Sequence, residues 1–385
     1  MCGAAKPIQF DMNNSYSHLR IIHLVSNKAW GGGERYALDL MRALAAHGHE
    51  VTAAVRAGSA AIEPIRQAGI AVMAMPLRGM ADAVSAWRLA TLIGRTPCVV
   101  HVHNFKDVAT AALARTLARN RRTAIVVTRH LARPGKTDAL HSMLYRAADA
   151  VVFVSQFALN AFMAASPRVD GGKLTVIHNS ILPPTAPAQL VPDLRAQLRL
   201  GPGQRLMMFH GRLSPEKGVE VLVDALASIG AGNWHLAVAG TGSKHYEAAL
   251  RAMVAQSGLS DSVTFLGFRS DVMPLIAQCD FGVLPSVCPE AFGLANLEYM
   301  MCGKPHIATS SGAQPEFVRD GVDGLVVEPG NAKALAAAVS RLLSRPELCC
   351  QMGAAAAAHY ADSLTYDRFY AAMLATYGRA LSSRL

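Results

Sequence analysis

The stretch from Pro289 to Met301, Pro-Glu-Ala-Phe-Gly-Leu-Ala-Asn-Leu-Glu-Tyr-Met-Met, places two carboxylates, Glu290 and Glu298, eight positions apart. On one helix they would lie about 12 Å apart along the axis and roughly 80° apart around it. Carboxylate pairs that cleave a glycosidic bond sit closer, roughly 5 to 10 Å apart. The spacing suits one extended ligand held at both ends, a sugar at one carboxylate, a ribose at the other and a diphosphate between them over the helix start. The plainer alternative is an amphipathic helix with Phe292, Leu294, Leu297 and Met301 facing a core.

Outward from this stretch, short apolar runs alternate with helix-length amphipathic segments. Arg20–Ser26, Glu50–Val55, Ile70–Ala74, Val99–Val102, Ala124–Thr128 and Ala150–Val154 read as strands, with a helix over Glu34–Ala46 after the first. The rhythm stops at Pro183-Pro184, Pro187, Pro192 and Gly201-Pro202-Gly203, a linker signature, and then restarts. Arg205–His210, His235–Ala239, Val263–Leu266, Phe281–Leu284, His306–Ala308 and Leu325–Val327 form the second set. The expected fold class is α/β, two Rossmann-like parallel-sheet domains facing an interdomain cleft, with ligands at the carboxyl ends of the strands. The expected division is 1–19 as an N-terminal extension, 20–182 as the first domain, 183–203 as linker, 204–363 as the second domain, and 364–385 as a final helix. Ala354–Ala358 reads as helix, because an amphipathic pattern follows it over Leu364–Leu381.

At 385 residues, with 51% hydrophobic and 17% charged side chains, the chain is globular and long enough for two cores. Its seven cysteines show neither CxxC nor Cys/His spacing, so neither a disulfide framework nor a zinc site is indicated. With no signal-like or membrane-length apolar run, the expected location is cytoplasmic. The net charge of +10 is uneven: residues 1–185 hold 21 basic and 10 acidic side chains, so the first half carries all the excess. Such a half suits an anionic partner or simply a soluble surface.

Gly211-Arg212-Leu213-Ser214-Pro215-Glu216-Lys217-Gly218 follows the first strand of the second domain. Ser214 reads as an N-cap and Pro215 as the first helical position. Lys217 in the first turn opposes the helix dipole; with Arg212 it would put two cations at a diphosphate site. Trp30-Gly31-Gly32-Gly33-Glu34 lies between the first strand and helix, where glycines permit close approach to phosphate. Neither GxGxxG nor GxxxxGK[ST] is present, which disfavours a dinucleotide cofactor and P-loop chemistry. His101-Val102-His103-Asn104 and Thr128-Arg129-His130 end two strands at the expected cleft, and their convergence raises His130 above an ordinary packed histidine.

Taken in order, Gly31-Gly32-Gly33-Glu34, Gly211-Arg212-Leu213 with Glu216-Lys217-Gly218, the Glu290 and Glu298 pair, Cys302-Gly303-Lys304-Pro305, and Asp320-Gly321 with Gly324-Leu325-Val326-Val327-Glu328-Pro329-Gly330 resemble glycosyltransferase family 4 over roughly residues 20–380. That family comprises retaining enzymes of the GT-B fold. The resemblance implies a nucleotide diphosphate sugar, UDP- or GDP-linked, as substrate, with no metal and no cofactor. It implies that Glu298 holds the ribose, Glu290 the transferred sugar, and Arg212 and Lys217 the diphosphate. Phe292, Gly293 and Leu294 complete the phosphate site, with Gly211 beside it and Gly32 and Gly33 approaching from the other domain, and His130 contacts the sugar. The final helix, around Tyr366–Leu381, crosses back to the first domain. His103, Asn104 and Arg129 fall on the acceptor side. Ala291, Asn296 and Tyr299 depart from the family's usual residues beside the donor site. Arg115, Arg119, Arg121, Arg122, Arg129, Arg133 and Lys136 concentrate positive charge in the first domain. The expected acceptor is an anionic cell-envelope glycan or glycolipid, handled at the inner face of the membrane with peripheral contact to an anionic leaflet, and nucleic acid is not expected as a partner. A sugar-nucleotide epimerase and a non-catalytic polyanion-binding protein are the rival readings.

Overall fold

The computed structural model describes residues 18–80, 82–183 and 193–384. Most of the expected N-terminal extension, and Pro184, Pro187 and Pro192 of the expected linker, lie outside these residues. The first set of strands is β1 (Arg20–Val25), β2 (Glu50–Arg56), β3 (Ala71–Met75), β4 (Val99–Val102), β5 (Ala124–Arg129), β6 (Ala150–Phe153) and β7 (Leu174–Val176). The second is β8 (Arg205–His210), β9 (Trp234–Ala239), β10 (Val263–Gly267), β11 (Phe281–Leu284), β12 (His306–Thr309) and β13 (Leu325–Val327).

Among the described residues these strands make two sheets, seven-stranded in the order β3-β2-β1-β4-β5-β6-β7 and six-stranded in the order β10-β9-β8-β11-β12-β13. Every pairing in them is parallel. The apolar runs are continuous because helices cover both faces of each sheet. In the first sheet, Ile22, Leu24, Val100, Val102, Ile125 and Val127 share one core with the helices Ala83–Ile93, Val108–Leu117 and Ala139–Ala147. The alternate residues Ile21, Val99, Ala124 and Val126 face the helices Gly32–Ala46 and Tyr366–Ser382 on the other side. The last helix, though it ends the chain, thus completes the core of the first domain. The strand order reverses between β1 and β4 and between β8 and β11, the positions where ligands enter such sheets.

Three differences from the sequence reading have physical causes. β7 is an edge strand of three partly buried residues, too short to show as an apolar run. Within the interval 183–203, the helix Leu194–Gln197 belongs to the second domain: Leu194 is buried in its core and donates its N–H to Gln278 Oε1. The segment Pro215–Lys217 is a single 3-10 turn, and the α-helix begins only at Val219, so Lys217 does not occupy its first turn. Gly218 intervenes with φ of 65°, and a side chain there would run into the Pro285 carbonyl.

The domains touch where the loop after β12 meets the helix Gln156–Met163. Glu316 accepts hydrogen bonds from the backbone N–H of Gln156 (2.8 Å) and Phe157 (2.6 Å) and lies 3.1 Å from His178 Nε2. Burial works against ionisation of this carboxylate, but the hydrogen bonds from His178 and the two N–H groups outweigh it and hold its pKa below the usual value. Ser155 Oγ donates to the Ala291 carbonyl beside it. Replacing Glu316→Ala removes all three cross-domain contacts of this carboxylate, two of them to N–H groups at a helix start, and should lower stability to urea by about 2 kcal/mol. Unfolding monitored by circular dichroism would show it; an unchanged midpoint would mean that the contact contributes nothing to holding the domains together.

Candidate functional site

The cleft is built from loops at the carboxyl ends of the strands flanking both reversal points. After β1, Gly32 and Gly33 do not sit in a free loop, as their composition suggested; they form the first turn of the helix Gly32–Ala46. Their N–H groups therefore stand at the positive end of a helix. A Cβ on Gly32 would lie 3.9 Å from Leu294 Cδ1, and one on Gly33 would lie 3.5 Å from the His130 ring. The glycines thus bring the first domain up to the start of the helix Leu294–Met301 of the second.

Glu290 and Glu298 do not share that helix. Glu298 lies on it, while Glu290 precedes it in a loop bridged to Gly312. Phe292 is buried, and Gly293 adopts φ of 83° to open the helix. Glu298 Oε2 accepts a 2.6 Å bond from Nε2 of His210, the last residue of β8. Sequence reasoning missed His210, although its place directly before Gly211 at a strand end was a usable signal. Glu298, His210, Gly211 and Arg212 line a cavity of about 410 Å³ with Trp30 from the first domain and Phe268 and Arg269 from the second. Trp30 and Phe268 are exposed aromatics, able to offer flat faces to a planar ring.

Lys217 and Glu290, expected to hold the diphosphate and the adjoining sugar of one ligand, are ion-paired directly, and Ser286 Oγ donates to the same Glu290 oxygen at 2.9 Å. The departures from family pattern are internal. Tyr299 is fully buried; its hydroxyl donates to the Met208 carbonyl (2.7 Å) and lies 3.1 Å from His210 Nδ1, while its ring fills the space above Gly282. Asn296 is buried between the Gly293 carbonyl and His306 Nε2. Ala291 presents its carbonyl to Ser155.

A second cavity of about 520 Å³ opens on the first-domain wall, lined by His103, Asn104, Arg129 and His130, with Gly33, Lys106, Arg133 and Lys136 around them. Arg129 stacks its guanidinium 4.7 Å from the Phe162 ring and 5.5 Å from Phe105, so it is held as part of the wall. Behind His130 runs a row of imidazoles. His130 Nε2 lies 3.3 Å from His103 Nδ1, and His103 Nε2 lies 2.9 Å from His23 Nδ1. His101 is held between Thr128 Oγ1 and the hydroxyl of Tyr377, each at 2.8 Å. Nitrogens of His23, His101 and His103 lie within 4.8 Å of one another, but ligating a metal would break the hydrogen bonds that now occupy His101 and His103. Burial lowers all four: His23 to about 3, His130 to about 4, His101 and His103 well below the ordinary value. The row is neutral at physiological pH. If His23 donates from Nδ1, the alternation of donor and acceptor runs through His103 and leaves His130 protonated at Nδ1.

The family model for "Glycosyl transferases group 1" matches residues 191–359, and that for "Glycosyltransferase Family 4" matches residues 30–182. A D-inositol 3-phosphate glycosyltransferase of Mycobacterium sp. strain JLS is 31% identical over 220 residues, 56% of this chain and 49% of the relative. A GDP-mannose-dependent alpha-(1-6)-phosphatidylinositol monomannoside mannosyltransferase of Mycolicibacterium smegmatis is 32% identical over 222 residues, 54% of this chain and 56% of the relative. The chain thus spans about half the length of these curated relatives. The crystal structure of Anabaena HepE in complex with UDP and glucose superposes with a TM-score of 0.77 at 25% identity, covering 94% of this chain and 100% of that one.

The histidine row makes stability pH-dependent. Unfolded histidines titrate near pH 6.5 whereas His23, His101 and His103 stay neutral when folded, so the unfolded state takes up more protons as pH falls through 6.5. Each group contributes about 1.4 kcal/mol per pH unit in that window, and the three together about 4 kcal/mol. Urea midpoints should therefore drop steeply between about pH 6 and pH 5. A flat profile there would mean that the row is solvated or already charged.

Proposed function

Because the chain belongs to the family 4 type of glycosyltransferases with the GT-B fold, we propose that it transfers a sugar from a UDP- or GDP-linked donor to a hydroxyl of an anionic cell-envelope glycan or glycolipid, with retention and without metal. The observation that carries this reading is the contact of Gly32 with Leu294, which brings two helix N-termini together across the cleft, with Arg212 lining the cavity that Trp30 and Glu298 share. Backbone N–H groups and fixed cations there suit a diphosphate that gains charge as it leaves. The named ligands of HepE, UDP and glucose, and the GDP-mannose named for the mannosyltransferase support the donor class.

In this reading Glu298, oriented by His210, takes the ribose hydroxyls, and Trp30 and Phe268 flank the base. Without donor, Lys217 and Glu290 neutralise one another. The incoming diphosphate draws Lys217 to itself and frees Glu290 to hold the sugar. The acceptor hydroxyl attacks from the face the diphosphate leaves, and a donor phosphate oxygen takes its proton. His130, kept neutral by burial, positions the sugar.

The phosphate carried by the inositol acceptors named for both mycobacterial relatives, and the cations at the second cavity, Lys106, Arg133 and Lys136, support an anionic acceptor. Among the described residues no helix is long and apolar enough to cross a membrane.

Arg212→Ala and Lys217→Ala should each lower kcat by roughly 100-fold or more, because the charge they stabilise grows in the transition state. Glu298→Ala should chiefly raise the donor KM, since ribose contacts change little during reaction. Wild-type kcat in both folded cation variants would refute the diphosphate assignment. Turnover should survive chelation, and NMR of the product should show the donor's anomeric configuration; a strict Mg²⁺ requirement or inversion would refute the metal-free retaining mechanism. Product formed from donor alone, without acceptor, would point to epimerisation instead.

A further inference from the structure

On one face of the first sheet, the helices Ala83–Ile93, Val108–Leu117 and Ala139–Ala147 lie side by side, the second packing against both others. Their inner residues, among them Leu89, Ala111 and Leu144, are buried. Their outer surface is not the mixed-charge surface usual for such helices. Val84 (55% exposed) and Trp87 (63%) project from the first, Leu117 (49%) from the second, and Leu140 (43%) and Met143 (54%) from the third. The three helices contain no Asp or Glu, and their basic side chains are Arg88, Arg115, His141 and Arg146. Arg115 is paired with Asp149, leaving Arg88 and Arg146 on the exposed face. The nearest carboxylates start the helices and are occupied: Asp82 with Ser85, Asp138 with His141, while Asp107 is buried. Exposed Arg78, Arg119, Arg121, Arg122, Arg133 and Lys136 lie in the adjoining loops.

We propose that this three-helix face docks on an anionic lipid leaflet, with Trp87, Leu140 and Met143 entering the interface and the surrounding arginines and lysines meeting the headgroups. Soluble monomers rarely expose so many large apolar side chains together. Apolar groups combined with an excess of cations are the composition of a surface that lies on a membrane, and Trp favours that boundary. Charge complementarity decides the occupant: a second copy of this face would oppose cation to cation, whereas an anionic leaflet attracts each one. The face adjoins the 520 Å³ cavity, for Met80, just before the first helix, Leu131, in the loop leading to the third, and His141 and Tyr145, on the third, line it. An acceptor carried on a lipid would thus reach His130 from the plane of the leaflet. This rests on the acceptor reading above and adds which surface bears the contact.

The test is flotation of the full chain with vesicles of phosphatidylcholine alone and with phosphatidylglycerol added, at low and at high salt. The wild type should float with the anionic vesicles, less so at high salt. Trp87→Ser combined with Met143→Ser should weaken partitioning by roughly tenfold or more, whereas Val322→Ser, an exposed apolar position on the second domain, should not. Trp87→Phe should abolish the blue shift of tryptophan emission on vesicle binding, since Trp234 is buried and Trp30 lies in the cleft. Equal recovery on neutral vesicles, no flotation of folded wild type, or undiminished flotation of the double variant would each overturn the proposal, as would a sedimenting dimer that the double variant dissolves. Thermal shift with UDP and GDP is read in parallel: nucleotide binding without flotation refutes the docking face alone, and flotation without nucleotide binding refutes the donor reading alone.

Discussion

The carboxylate of Glu316 ties the two halves of this molecule together at the edge of an apolar cluster to which Phe153 and Phe162 of the first domain and Phe292 and Phe317 of the second contribute. It belongs to the second domain, yet its partners are two backbone N–H groups and a histidine of the first. A carboxylate at a helix start satisfies N–H groups that otherwise have no partner, and two bonds to one rigid helix set direction as well as distance. With Ser155 bonded to the Ala291 carbonyl, the loop carrying Glu290 is anchored to the first domain only a few residues before the helix bearing Glu298. The approach of Gly32 to Leu294 lies at the start of that helix.

The first sheet meets a second constraint. Parallel strands buried on both faces are ordinarily apolar, yet β1 and β4 carry His23 and His101, with His103 just beyond. Buried imidazoles must find partners, and here they find one another, Thr128, and Tyr377 from the last helix. The return of the chain terminus to the first domain therefore does more than cover apolar surface. It supplies the hydroxyl that satisfies His101, whose ring packs 4.2 Å from that of His103 behind the cleft wall.

The unusual residues of the second domain show how a local change is balanced. A tyrosine at position 299 needs room and a hydrogen bond, and it receives the first from Gly282 and the second from the Met208 carbonyl. Its hydroxyl also supports His210, which orients Glu298. Asn296, polar inside a helix, is satisfied by Gly293 and His306. Both substitutions thus lie beneath the cavity that Glu298 and His210 line, not within it.

The strands were legible in the sequence because each is a short apolar run between turn residues, and β4, β8, β11 and β13 fall where the pattern placed them. The tandem α/β arrangement, the cleft at the strand ends, and the motif residues around Gly32, Arg212 and Glu290 were legible for the same reason: they depend on order along the chain. Pairings across the chain were not. That Lys217 meets Glu290, that His210 serves Glu298, that Glu316 caps a helix of the other domain, and that Tyr377 closes a histidine row begun at His23 are contacts between residues separated by 73 to 276 positions. Local pattern carries no signal for such contacts, because packing of the two sheets and the returning helix creates them. The same holds for the exposed apolar face: a helix's periodicity marks which side is buried, but only the packed domain shows that the outer sides of three neighbouring helices are left apolar and cationic.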